Sequence, residues 1–373
     1  MRHGWLFALA LCGLISVECA LAASDSHPRS IWEVDLRKFG YEKPAKRWGE
    51  GRGEYPWLWL PRYLSFTASN AVAVGFVARE ETHSLPTREQ PPLAFHVVFF
   101  AGRNGRILQA KKWPTTEWYE NALFASSSGS LVVQAGKALL VYSSDFKLVA
   151  QRRLAAERIV IEPSPAGESL LLRLISSRNI QTEVIRTSDL SLRAALTGSS
   201  ADSVGNGAVV ISRNAHAKPL VRQLFIQELS TKRVNLIYEG RHKKCAMDAS
   251  FVTPTSLYAS CEPEAFVLTT TGEVLFKDKY GKRVSIDRDP RPAMSGQRFA
   301  VAITTLKGGS EILDLPSHAE RTSVIVYDLA SRSRIIEVEV EPLPETTFDY
   351  ALSTDGTLLA VLADGVITVY GIP

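Results

Sequence analysis

Helical periodicity is almost absent from this sequence, and so are the short motifs that announce familiar enzyme chemistry. No G-x-S-x-G elbow, P-loop, G-x-G-x-x-G or H-E-x-x-H occurs in its 373 residues. Their absence removes the usual sequence grounds for a serine hydrolase, a nucleotide-binding enzyme or a zinc protease. A sustained basic stripe is also lacking. The densest cluster, Arg241-His242-Lys243-Lys244, spans four residues within a net charge of +4, which gives no grounds for sequence-independent nucleic-acid binding. Cysteine is scarce at four residues. Beyond the N-terminus there is no apolar run long enough to span a membrane, for which about 20 residues are needed.

The N-terminus is the exception. Arg2 forms a short charged region, Gly4 to Val17 is apolar, and Ala20-Leu21-Ala22 is a small-residue site. That order is the layout of a secretory signal peptide, here residues 1–22, with cleavage expected before Ala23. Fourteen apolar residues are too few for an anchor that needs about 20. The mature chain, residues 23–373, is therefore expected to be secreted or periplasmic. Cys12 and Cys19 leave with the signal. Cys245 and Cys261 remain, and a pair of cysteines in an oxidising compartment is expected to form a disulfide. Two lone cysteines without C-x-x-C spacing or paired His do not make a zinc site.

What the sequence does contain is a repeat. A short apolar or alternating run, a turn and a second such run recur along the chain. Seven units align on their first hairpin, at LSFTASNAVAVGFV from Leu64, ALFASSSGSLVVQ from Ala122, IVIEPSPAGESLLLRL from Ile159 and DSVGNGAVVISR from Asp202. The series continues with ASFVTPTSLYASC from Ala249, RPAMSGQRFAVAI from Arg291 and YALSTDGTLLAVL from Tyr350. The first six carry a second hairpin, so each unit has four strands. With Asn70, Gly129, Gly167, Gly207, Thr255, Gly296 and Gly356 as turn markers, the spacings are 59, 38, 40, 48, 41 and 60. The first and last are long because units one and six carry inserts of 17 residues, Arg79 to Phe95 and Leu306 to Thr322. Without them the spacings run from 38 to 48, close to the ~40–45 residues of four-stranded propeller blades.

The seventh unit stops at Pro373, one strand short. The segment Ser30 to Lys38 (SIWEVDLRK) belongs to no other unit and is strand-like. Pairing it with the last unit would close a ring and remove an open edge. Residues 39–63 then read as a linker into the first unit. The expected fold is all-β, a seven-bladed β-propeller of four-stranded antiparallel blades whose last blade is closed by an N-terminal strand. A series of two-sheet sandwiches is the competing architecture.

In this organisation the chain resembles the WD-repeat-like, or YVTN-type, seven-bladed propeller superfamily across nearly all of the mature sequence. The resemblance is architectural. No unit has Gly-His followed by Trp-Asp, and Val326-Tyr327-Asp328-Leu329 is the nearest approach to the family's third-strand ending. The Trp-bearing repeats of quinone-dependent propellers are also missing, since every Trp lies at or before Trp118.

Few residues suggest chemistry. The mature His residues (His27, His83, His96, His216, His242 and His318) stand singly, without the convergent partners a site needs. One acid recurs in register, seven residues before the turn marker: Asp248, Asp289 and Asp349 in units five, six and seven. In a propeller these would begin three adjacent inner strands at one mouth of the channel. They could hold a calcium-like cation through oxygen ligands, or each could accept backbone N–H bonds from the loop entering its strand. The two inserts fall between second and third strands, on the face of the disc where those acids lie, and loops on a rigid scaffold commonly carry recognition. The Trp-rich stretch Tyr55 to Pro61 reads as packing against the strands it enters rather than as a glycan platform. The functional expectation is an exported, non-catalytic binding or scaffold protein that recognises a protein, peptide or glycan on the insert-bearing face, with no cofactor. The alternative is a metal-assisted hydrolase or lactonase using the channel-mouth acids.

Overall fold

The computed structural model describes residues 28–43, 62–80, 92–116, 120–177, 179–196, 201–215, 221–241, 247–281, 283–286, 289–307 and 319–373. The signal segment, the Trp-rich stretch, Cys245 and most of both inserts lie outside them. The described chain folds into seven antiparallel sheets arranged as the blades of a propeller.

Strand β1 (Ser30–Asp35) is the outer strand of the last blade. Blade 1 comprises β2 (Leu64–Phe66), β3 (Ala71–Arg79), β4 (Leu93–Ala101) and β5 (Ile107–Thr115). Blade 2 comprises β6 (Asn121–Ala125), β7 (Leu131–Ala135), β8 (Ala138–Tyr142) and β9 (Leu148–Arg153). Blade 3 comprises β10 (Arg158–Pro163), β11 (Ser169–Ile175), β12 (Ile180–Arg186) and β13 (Leu192–Leu196). Blade 4 comprises β14 (Ser203–Val204), β15 (Ala208–Ala215), β16 (Val221–Glu228) and β17 (Val234–Arg241). Blade 5 comprises β18 (Asp248–Phe251), β19 (Ser256–Cys261), β20 (Glu264–Thr269) and β21 (Val274–Lys279). In blade 6 the inner strand is split into β22 (Val284–Ile286) and β23 (Arg291–Pro292), followed by β24 (Arg298–Leu306), β25 (Ala319–Asp328) and β26 (Ser333–Glu339). Blade 7 has β27 (Phe348–Leu352), β28 (Leu358–Ala363) and β29 (Val366–Gly371).

The expected closure is present. Strand β1 pairs antiparallel with β29, with Glu33 opposite Thr368 and Asp35 opposite Val366. It ends earlier than the sequence suggested: Leu36–Phe39 is a 3-10 turn, capped by the Asp35 side chain and closed by Gly40. Leu36 is fully buried, so the alternation that reads as strand serves instead to tuck one leucine under the blade. The chain beyond packs too. Tyr41 is buried and its hydroxyl hydrogen-bonds Thr347 Oγ1 at 2.9 Å.

Burial explains the strand types. Second strands such as β7 are buried along their whole length and read as continuous apolar runs because both faces meet neighbouring blades. Outer strands such as β9 alternate exposed and half-buried. The apolar clusters sit between blades. One joins Phe124 of blade 2 to Leu172 of blade 3, and another joins Val301 of blade 6 to Val267 of blade 5. Blades 5 and 6 also share a polar strap. Tyr327, at the place of the family's third-strand Trp, stacks on Phe299 and bonds Tyr280 and Asp278, and Arg334 grips the same carboxylate at 2.6 and 3.0 Å.

One regularity was not read from the sequence. In each blade the pairing of third and outer strands skips a single residue at the start of the outer strand: Ile31, Leu108, Val149, Arg193, Ile237, Leu275 and Ile335. A bulge of this kind adds twist and turns a strand edge away from further pairing.

Candidate functional site

The central channel collects the chain's least expected side chains. Inner strands present alternate residues to it. Asp248 heads β18, Asp349 is the second residue of β27, and Asp289 lies in the break between β22 and β23. The three acids of the sequence expectation thus stand at the entry of adjacent inner strands. The irregular member is Asp289, where the strand opens rather than begins.

Asp349 is almost fully buried. One carboxylate oxygen accepts the backbone N–H groups of Tyr63 and Leu64 at 2.7 and 2.8 Å. The other accepts its neighbour Tyr350 N–H at 2.8 Å and the Arg291 guanidinium at 3.1 Å. Asp289 is clasped by two guanidinium groups, Arg62 and Arg291, one on each oxygen. Burial opposes its charge, but Arg291 and Arg62 together hold its carboxyl below the usual range. Arg291 also lies over the Tyr350 ring at 5.5 Å, and the Tyr350 hydroxyl reaches the Asp289 carbonyl oxygen at 3.3 Å. The Arg62–Asp289 pair crosses the channel from the entry of blade 1 to blade 6, while the Arg62 carbonyl accepts Leu123 N–H of blade 2 at 2.7 Å.

A second layer of charge lies two residues further along the inner strands. Glu162 of blade 3 pairs with Arg173 at 2.9 Å. Burial, reinforced by the charges of Asp289 and Asp202 and opposed by Arg173 and Arg62, lifts its carboxyl to about 7. Asp202, just before β14, is lifted to about 6, chiefly by burial and also by the charge of Asp248, against a 2.6 Å bond from Ser212 N–H. Arg173 donates to the Ala201 and Asp202 carbonyls at 3.1 and 2.7 Å. Carboxylates from blades 3 to 7 therefore stand at the entries of five consecutive inner strands beside three guanidinium groups, and Glu162, Asp289, Arg62 and Arg291 line a small cavity of about 60 Å³ with Ser65, Ser164, Ser203 and Ser250.

Sequence reading found the outer layer and missed the inner one. The signal was available, because Glu162, Asp202 and Arg291 each stand five residues before their turn marker. Arg62 carried no such signal, as it precedes the first strand and acts across the ring.

The donor set tests poorly as a calcium site. Such an ion wants six to eight oxygen ligands. The oxygens of Asp289 and Asp349 already serve guanidinium and amide donors, and no group of three metal-holding His, Cys, Asp or Glu side chains occurs among the described residues. His96 is the only histidine described. It stacks on Phe76 at 5.3 Å, and burial lowers its pKa. The described residues thus hold no Ser-His-Asp arrangement. Cys261 is buried at the end of β19.

Across solved structures, the chain superposes on a chain of the mitotic checkpoint complex with a TM-score of 0.55 and 13% identity, covering 95% of this chain and 98% of that one. It superposes on the Pan2 WD40 domain of Neurospora crassa with a TM-score of 0.52 and 10% identity, covering 94% and 97%. The fold is that of a WD40-like seven-bladed propeller. Identity at this level speaks to the fold alone. No family model matches the sequence, and no characterised protein matches it at significant similarity. Among the described residues of this propeller no helix is long and apolar enough to cross a membrane.

Proposed function

We propose that this propeller is an exported, non-catalytic binding protein that receives a cationic side chain of a protein or peptide partner at its channel mouth. The observation that carries the reading is the cluster at the inner-strand entries, where Glu162 and Asp289 line the cavity with Arg62 and Arg291 and Asp202 stands beside Glu162. Burial penalises the charge of Glu162 and Asp202, so Glu162 keeps a proton up to about pH 7 and Asp202 up to about pH 6. An incoming ammonium or guanidinium group would supply the missing countercharge and let them ionise. Strands β3 and β24 end, and β4 and β25 begin, on the face where the inner strands enter.

The test is titration calorimetry of the mature protein with a Lys/Arg-rich peptide and with a Glu-rich peptide of equal length. The basic peptide is expected to bind, with proton release at pH 6.5. The pair E162Q/D202N should weaken it at least about tenfold, equivalent to ~1.4 kcal/mol. Equal binding of both peptides, or no effect of the double substitution, would remove the reading. The metal-assisted hydrolase or lactonase remains the rival class. Stoichiometric calcium in the purified protein, lost in D289N, would install it instead.

A further inference from the structure

The outer rim of the propeller carries a feature independent of the channel. Among the described residues, nine large hydrophobic side chains are exposed, and eight of them lie within the first three residues of an outer strand in blades 7, 1, 2, 3 and 4. Chance placement would scatter them. Ile107 and Leu108 open β5, Leu148 and Val149 open β9, and Val234 and Leu236 lie at the start of β17, each 44–57% exposed. Because the outer strands of blades 1 to 6 begin at the turn from the third strand, and β1 starts opposite the end of β29, these side chains share one edge of the disc. The bulge described above falls on Leu108 and Val149.

Charge follows the same edge. The turn before β5 presents Arg103 and Arg106, and that before β17 presents Lys232 and Arg233. All four are exposed, and none is held in an ion pair among the described residues. Arg193 adds a cation at the start of β13, and the turn before β9 carries Lys147 paired with Asp145. Aliphatic side chains flanked by exposed cations are the composition of a surface that sits at the boundary of anionic lipid. A protein partner would be expected to fill a pocket with central anchors. Here the apolar side chains form separated pairs along a convex edge, which a fluid bilayer accommodates.

We propose that this edge of blades 1, 2 and 4 docks the protein on an anionic bilayer, aliphatic side chains at the acyl boundary and Arg and Lys at the headgroups. The experiment is co-sedimentation of the full mature chain with vesicles of phosphatidylglycerol in phosphatidylcholine, and with phosphatidylcholine alone. Wild-type protein is expected to pellet with the anionic vesicles and to be released by salt. The variant L108D/V149D/L236D should lose at least about tenfold in binding. The variant R103E/R106E/K232E/R233E, altered only in exposed turns, should lose the preference for anionic lipid while keeping the wild-type melting temperature. Failure of the wild type to pellet, equal binding to both vesicles, or unaltered binding by both variants overturns the proposal. So does a wild-type dimer in sedimentation velocity that the aspartate variant dissociates, since the edge would then be a contact between copies.

Discussion

Glu162 shows how one side chain couples the channel to pH. Its carboxyl is lifted from 4.5 to about 7, first by burial and then by Asp289 and Asp202. The folded state therefore keeps a proton that the unfolded chain gives up. Between those two values the native protein binds more protons, so stability falls as pH rises from 4.5 toward 7, and the full cost is present above that. With 20% of the side chain exposed, solvent reduces the effect to roughly 2 kcal/mol, below the ~3 that the whole displacement would give. Glu162→Gln should match wild type in urea unfolding near pH 4.5 and exceed it by roughly that amount at pH 8. A variant uniformly weaker at both pH values would show that Glu162 acts as a partner of Arg173 rather than as a buried acid. The two Arg on Asp289 tell the opposite story: attraction outweighs desolvation there, and the charge is retained.

At the scale of the element, the closing strand holds the ring through a small number of groups. Trp32 of β1 donates its indole N–H to the Gly102 carbonyl at 2.7 Å, across to blade 1, and its ring meets Phe100 at 5.9 Å. Gly365, in the turn between β28 and β29, has φ of 87° and lies under the Tyr41 ring, so a side chain there would meet both backbone strain and the aromatic ring. Trp32→Ala should lower stability by about 2–3 kcal/mol in denaturant unfolding, less than for a fully buried Trp because this one is half-exposed. Deleting residues 28–35 should leave β29 an open edge and give concentration-dependent aggregation in light scattering. A monomeric deletion variant with an unchanged melting temperature would mean the ring does not depend on this strand.

At the scale of the whole molecule, the expectation of export is open to test through the cysteines. The pairing of Cys245 with Cys261 would fasten the entry of blade 5 to the end of its second strand. Reduction should lower the melting temperature, by an amount corresponding to roughly 3 kcal/mol in the chain-entropy model. Mass spectrometry of the non-reduced mature protein would show the linked peptides. Two free thiols there would end that reading, and with it one support for an oxidising compartment.

The sequence by itself determined the parts of this protein that depend on neighbours along the chain. Alternation, turn residues and the equalised spacing of the markers specify the blades, their number and the identity of the closing strand, because strand and hairpin chemistry is local. Asp248, Asp289 and Asp349 were legible because they recur in register. What those acids meet was decided only by the tertiary structure. Arg62 and Asp289 are 227 residues apart, and ring closure alone sets them face to face. Likewise no single segment announces the bulge at the start of every outer strand. Its position emerges when third and outer strands pair, and with it the edge where apolar and basic side chains meet.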